Sequence, residues 1–340
     1  MMNFIVTYRI TPITRKLFRS SWIWGLLIVL SHAANAQQLP AYSQYTFNGF
    51  LLNPAVAGSE GYTAINVTSR EQWVGIEGAP STQCISVQTR IMKRDYIETK
   101  ASVRRRYLRP LRSGKVGLGA YIYRDHIGLS DQTGMQLTYA YHISGTTSQF
   151  SMGLTLSVFQ YKLNTGELKL PDASDKLINN EAMSMTIPDA NVGMYYTNQG
   201  MYIGFSMFNL TQASIMFGNY RNTDFRLKRQ YNLIGGFKYD LDETYTLEPS
   251  VYLKVSEQWK PQSDVMLKLI CDRKFWLGAG YRLGGTIIGT VGVKLNRFYV
   301  GYSYDYSANS LSYYSYGTHE LMLALKLGDN TRRYRWMERY

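Results

Sequence analysis

The chain has 340 residues, a formal charge of +13 and a mean hydropathy of −0.24. After residue 36 it contains no run of about 18 apolar residues, which excludes helical membrane spans from that part. With 29 Tyr, 29 Gly and 6 Trp it has the composition of a β-barrel. Such barrels carry aromatic girdles at both membrane interfaces, and glycines where strands bend or pack closely.

Residues 1–36 read as a cleaved signal peptide. They carry Arg9, Arg15, Lys16 and Arg19 and no acid, then the apolar run Trp22 to Leu30, then Ala34-Asn35-Ala36. The run is far shorter than the roughly twenty residues that a helix needs to cross a bilayer. The mature chain is expected to start near Gln37, with cleavage near Ala36 and a charge of +9 once the four basic residues are gone. No Cys lies near this point, so a lipidated N-terminus is not indicated.

Residues 37–61 are rich in aromatics, Asn, Pro and Gly. Tyr42, Tyr45, Phe47, Phe50 and Leu51 give this stretch enough apolar surface to fold back, as a plug or as a periplasmic cap on a barrel mouth. Asn53-Pro54-Ala55 and Gly58 suit turns, since Pro fixes φ and Gly accepts positive φ.

Residues 62–328 alternate in polarity. Leu321, Leu323, Leu325 and Leu327 alternate with Glu320, Met322, Ala324 and Lys326, and the same rhythm runs through Val265 to Asp272. Strand side chains point to opposite faces in turn. One greasy and one wet face, strand after strand, predicts an all-β transmembrane antiparallel barrel of about fourteen strands. The strands are placed near 62–70, 82–91, 115–124, 134–143, 149–161, 190–197, 200–208, 229–240, 244–254, 262–272, 275–282, 286–296, 297–306 and 318–328.

The connections are expected to alternate in length. Residues 197–200, 240–243, 272–274 and 295–297 are tight turns, whereas 162–189, 209–228 and 307–317 are long. In outer-membrane barrels short turns face the periplasm and long loops face outside. Both termini then lie in the periplasm. One periplasmic connection breaks the pattern: 92–114 is long and basic, with Lys93, Arg94, Lys100, Arg104, Arg105, Arg106, Arg109 and Arg112. It is either a solvated loop near anionic head groups or a docking patch for an acidic periplasmic partner. Nucleic acid also attracts basic runs, but a secreted barrel does not meet it. The tail, residues 329–340, adds Arg332, Arg333, Arg335 and Arg339 as a second candidate contact surface.

Arg70, Glu248, Lys254, Asp264, Lys268, Lys294, Asp305, Glu320 and Lys326 fall on the inward face. A selective pore usually shows one dominant sign of charge, so the mixed signs favour a filled lumen tied by ion pairs over an open channel. Cys84 falls on the inward face and Cys271 on the outward one, so no disulfide joins them. His32, His126, His142 and His319 show no zinc spacing, and no Gly-x-Ser-x-Gly motif occurs. Asp305 and Glu320 point inward while His319 points with the leucines, so they make no catalytic trio. No catalytic, cofactor-binding or metal-binding residue is assigned, and the chain is not expected to be an enzyme.

Three stretches resemble the PorP/SprF family of Bacteroidetes outer-membrane proteins. Gln44-Tyr45-Thr46-Phe47-Asn48 with Leu52-Asn53-Pro54-Ala55-Val56-Ala57-Gly58 is similar to that family's opening. The run from Arg70 to Gln83, holding Trp73, Gly75, Gly78 and Pro80, resembles its first hairpin. Gly301 to Tyr306, holding Tyr304, Asp305 and Tyr306, with His319-Glu320-Leu321, resembles its last hairpin, and Trp276 to Arg282 fits as well. Trp73 with Gly75, Gly78 and Pro80 falls in the first external loop and is a candidate lid or partner contact.

The resemblance implies an outer-membrane barrel that assists type IX secretion and, in some members, gliding motility. Its implied partners are the outer-membrane translocon, the periplasmic ring and a secreted cargo with a C-terminal sorting domain, all within outer-membrane lipid. On this reading 162–189 and 209–228 meet cargo, while 92–114 and the tail meet the machinery. The alternative is a passive porin or a hydrophobic-solute transporter.

Overall fold

A computed structural model describes residues 42–91, 115–145, 147–164, 183–213, 227–259 and 261–328. The signal-peptide reading, Arg104, Arg105, Arg106, Arg109 and Arg112, and the tail lie outside the described residues.

The wall is one antiparallel sheet that closes on itself. Its strands are β1 (Thr63–Glu71), β2 (Ser81–Ile91), β3 (Val116–Ile127), β4 (Ser130–Ser144), β5 (Ser148–Leu163), β6 (Met183–Asn198), β7 (Met201–Phe208), β8 (Gln230–Phe237), β10 (Tyr245–Ser256), β11 (Pro261–Cys271), β12 (Phe275–Arg282), β13 (Thr286–Leu295), β14 (Phe298–Ser307) and β15 (Thr318–Leu327). The two-residue β9 (Tyr239–Asp240) continues β8 past Lys238 on the same neighbour, β10, so fourteen strands make the wall. Each strand pairs with the next, and β15 returns to β1 in register from Thr63–Leu327 to Glu71–His319. Closure gives every wall strand two neighbours among the described residues, the condition for a sheet to sit in lipid.

The predicted alternation sets the two faces. Ile85, Ile122, Leu137, Leu156, Val265 and Leu277 point out and are exposed, whereas Ser86, Tyr121, Gln136, Thr155, Asp264 and Thr290 point in and are buried. Cys84 is buried inside, Cys271 lies on the opposite parity, and both are free thiols.

The expected alternation of loop lengths holds at one end only. One end carries β4–β5, β6–β7, β11–β12 and β13–β14 as tight turns. The other end has longer connections, 72–80, 209–229 and 308–317, but it also has three short ones, at 128–129, 257–260 and 283–285. The first of these arises because β4 starts at Ser130, not near 134. The second correction is β6, which starts at Met183, so residues 183–189 are strand and not loop. Pro188 masks this in the sequence. It is tolerated because β6 there pairs with β5 alone, β7 reaching only to Val192, and Pro suits a strand with one open side. β4, β5 and β6 run to 15 or 16 residues against about ten needed to span a bilayer, so the wall rises higher on that side.

Candidate functional site

The lumen holds the chain's own residues 42–61. Ser43 meets side chains close to the loop end of their strands, and Ala57 to Glu60 meet residues close to the tight-turn end. The segment therefore traverses the barrel lengthwise. Two short 3-10 turns, Gly49–Leu51 and Pro54–Val56, give it its shape. Asn53 fixes the second turn, because its side-chain oxygen accepts from the Ala55 N–H at 2.9 Å. The amide nitrogen of Asn53 donates to the Met194 and Phe205 carbonyls at 2.8 and 3.2 Å, which ties the same turn to β6 and β7. Pro54 follows at the first position of the turn, where it gives up no needed N–H.

Charge anchors the upper part. Arg70 bridges Glu320 at 2.6 Å and Asp305 at 2.9 Å, and Arg282 bridges Asp264 at 2.8 Å and Asp305 at 3.1 Å. Ser43 sits among them. Its hydroxyl donates to Asp305 at 2.6 Å and accepts from Arg70 at 2.9 Å and Arg282 at 3.1 Å. The Glu320 carboxylate accepts the backbone N–H groups of Ser43 and Gln44 at 2.9 and 3.0 Å. One carboxylate thus serves both the wall cation and two successive backbone donors, so the wall's ion pairs and the segment's position depend on each other. Lower down, Lys268 pairs with Glu248 at 2.7 Å and donates to Thr46 at 3.1 Å.

Aromatic packing fills the middle. Tyr45 tilts against Tyr252 with centroids 5.5 Å apart, and its hydroxyl lies 3.0 Å from that of Ser250. Phe47 packs between Trp276 and Tyr299, and Phe50 meets Tyr121 edge to face. Near the tight-turn end His142 Nε2 donates to the Ala57 carbonyl at 3.0 Å, and its Nδ1 lies 2.8 Å from the Ser151 hydroxyl. Gly58 donates to Gln88, and Glu60 pairs with Lys326 at 3.4 Å.

Glycines in the wall make the room. A Cβ on Gly117 would fall on the Ala57 carbonyl, on Gly119 on the Phe50 ring, and on Gly153 on the Pro54 backbone. On Gly193 and Gly204 it would meet the Asn53 side chain, and on Gly301 the Gln44 side chain. The glycine content of the sequence points to close packing in general and does not single these positions out. The available signal was glycine at inward positions two apart, as at 117 and 119.

The inward set reads as expected, and its charges are largely paired. Asp305 and Glu320 face in while His319 faces out, 2.6 Å from Tyr302. Among the described residues no group of three metal-binding side chains occurs. Tyr304, Tyr306 and His319 stand on the outer face at the loop end. Trp73, Gly75, Gly78 and Pro80 lie in the 72–80 connection. There Trp73 N–H donates to Thr318 at 3.2 Å, so this loop pairs with the last connection and its neighbouring strand.

Solved structures similar to this chain are outer-membrane barrels at low identity. The Acinetobacter baumannii outer membrane protein Omp33 matches at 8% identity and a TM-score of 0.42, over 79% of this chain and 98% of that one. The TodX monoaromatic hydrocarbon channel (deltaS2 mutant) matches at 9% and 0.42, over 83% and 93%. A FadL homologue of Pseudomonas aeruginosa matches at 8% and 0.40, over 85% and 94%. No curated protein matches in sequence. A family model, type IX secretion system membrane protein PorP/SprF, matches residues 34–325, which take in the inner segment and nearly all of the wall around it. The chain is an outer-membrane barrel protein and belongs to the PorP/SprF family of type IX secretion system membrane proteins.

Proposed function

We propose that this barrel is closed and works by binding, coupling secreted cargo to the periplasmic part of the secretion machinery. The observation that carries this is the inner segment. Residues 42–61 run through the lumen and are held by Arg70, Arg282, Asp305 and Glu320 at one level and by His142 and Gln88 at another. A passive porin would need that space for solute. The tight-turn end is taken as periplasmic, following the rule for such barrels.

At that end β2 and β3 adjoin, with Ile91 opposite Val116, and β15 ends two strands from β2, across β1, with Leu327 opposite Thr63. The basic connection 92–114 and the basic tail 329–340 are therefore rooted within two strand spacings of each other, about 10 Å. Two cationic segments with neighbouring roots suit one acidic partner surface. The cargo side is assigned to the opposite end, with 164–182 and 209–229. Gliding adhesins are the cargo class that this reading favours.

Planar-bilayer recording of the full-length barrel tests it. Silence supports a filled barrel that binds, and a steady conductance supports the porin.

A further inference from the structure

At the loop end the first and last connections, 72–80 and 308–317, form one structure. Val74 N–H donates to the Gly317 carbonyl at 2.9 Å, and Tyr316 N–H donates back to the Val74 carbonyl at 2.7 Å. Tyr304 clamps the pair, its hydroxyl donating to the Tyr316 carbonyl at 3.0 Å. The fit needs two glycines at positive φ: Gly75 at +102°, whose Cβ would meet the Tyr316 ring, and Gly317 at +94°, whose Cβ would meet the Tyr304 ring. The 3-10 turn Ser310–Tyr313 leads from the end of β14 into this pairing.

This rigid frame displays Tyr313, Tyr314 and Tyr316, which are 87%, 75% and 79% exposed. Tyr139, Tyr281 and Phe298 on the lipid-facing wall are 50%, 49% and 59% exposed because they lie along their strands. The three loop tyrosines therefore stand clear of the wall and are not part of an interfacial girdle. Charge points the same way. The two connections contain Glu77 and no cation, so nothing in them attracts phosphate-bearing lipid headgroups. The run Ala308-Asn309-Ser310-Leu311-Ser312-Tyr313-Tyr314-Ser315-Tyr316-Gly317 is uncharged and, apart from Ala308 and Leu311, built from Tyr, Ser, Asn and Gly. That mixture characterises protein-binding loops, where Tyr supplies large contact area with few rotors and Ser and Asn adapt their hydrogen bonds. A preorganised frame loses little entropy on binding.

We infer that the 72–80 and 308–317 pair is a docking platform for a folded protein on the outer face of the barrel, with Tyr313, Tyr314 and Tyr316 as its centre. The inference rests on the proposed function for the loop end facing outward and for the partner being an exported protein.

The test places a photo-crosslinking phenylalanine analogue at Tyr314 of the full-length protein in living cells, with Tyr281 on the wall as the control position. A Tyr313→Ala/Tyr314→Ala/Tyr316→Ala variant accompanies it, with its assembly checked by heat-modifiable mobility. The expected result is an adduct at 314, absent at 281, with one identified substrate of the secretion pathway. Retention of that substrate at the surface then falls roughly thirty-fold or more in the triple variant, the effect of losing an interface hot spot. An adduct with lipopolysaccharide or lipid alone, no adduct, or full retention in the triple variant overturns the inference. If deleting the whole gene stops export while the triple variant does not, the platform fails and the proposed function stands. If deletion changes nothing, the proposed function itself fails.

Discussion

Gly153→Ala tests whether the inner segment is seated as described. A Cβ at this position would meet the Pro54 carbonyl carbon and oxygen and the Ala55 nitrogen, all at distances real Cβ atoms do not show. These are backbone atoms within a turn that Asn53 fixes from both sides, so no side chain can swing away. Overpacking of this kind costs about 1–3 kcal/mol. Gly153 is not at positive φ, so strain of the wall itself adds nothing. The cost therefore falls on the seated segment and shifts its occupancy by roughly 5- to 150-fold towards a displaced state. Gly235→Ala is the matched control, since its Cβ would find only the Tyr202 carbonyl at 3.8 Å. Single-channel recording of both variants reads the difference. Gly153→Ala should show openings that neither native protein nor Gly235→Ala shows. A Gly153→Ala barrel as silent as the control, with unchanged melting temperature, would refute the reasoning.

Arg70→Gln should destabilise the barrel by about 3–5 kcal/mol, because it leaves the buried Asp305 and Glu320 with a charge uncompensated; the loss is read as a lowered temperature of heat-modifiable mobility. Charge reversal at Arg104, Arg105 and Arg106 should weaken co-purification of periplasmic components while the barrel still assembles, and raised salt should weaken the native association in the same way. Retained co-purification after reversal would sink that contact. Cys84, buried in the lumen, should resist every maleimide until the protein unfolds, whereas Cys271 should react with a membrane-permeant reagent in the folded barrel.

The sequence made the wall legible because strand polarity has period two and lipid enforces it on every strand. Faces were readable residue by residue, as for Glu320 against Leu321. Pairings were not. Arg70 and Glu320 lie 250 residues apart, and only closure of β15 on β1 brings them together. Mixed inward charge suggested ion pairs without naming them. Asn53-Pro54 was readable as a turn, yet its grip on β6 and β7 carbonyls depends on register in strands 140 and more residues away. The sequence pattern starts β6 seven residues late because Pro188 breaks it, and only the missing neighbour on one side explains why a proline is allowed there. The inward glycines were silent for a related reason. A missing side chain carries no sign of what fills its place.

The most direct test of the account is a comparison of secreted and surface-attached proteins in cells with and without this gene. Without the gene, exported substrates of the type IX pathway should leave the surface: one or a few large adhesins if the barrel serves dedicated cargo, all of them if it serves the core machine. An unchanged set of secreted and surface proteins would contradict this.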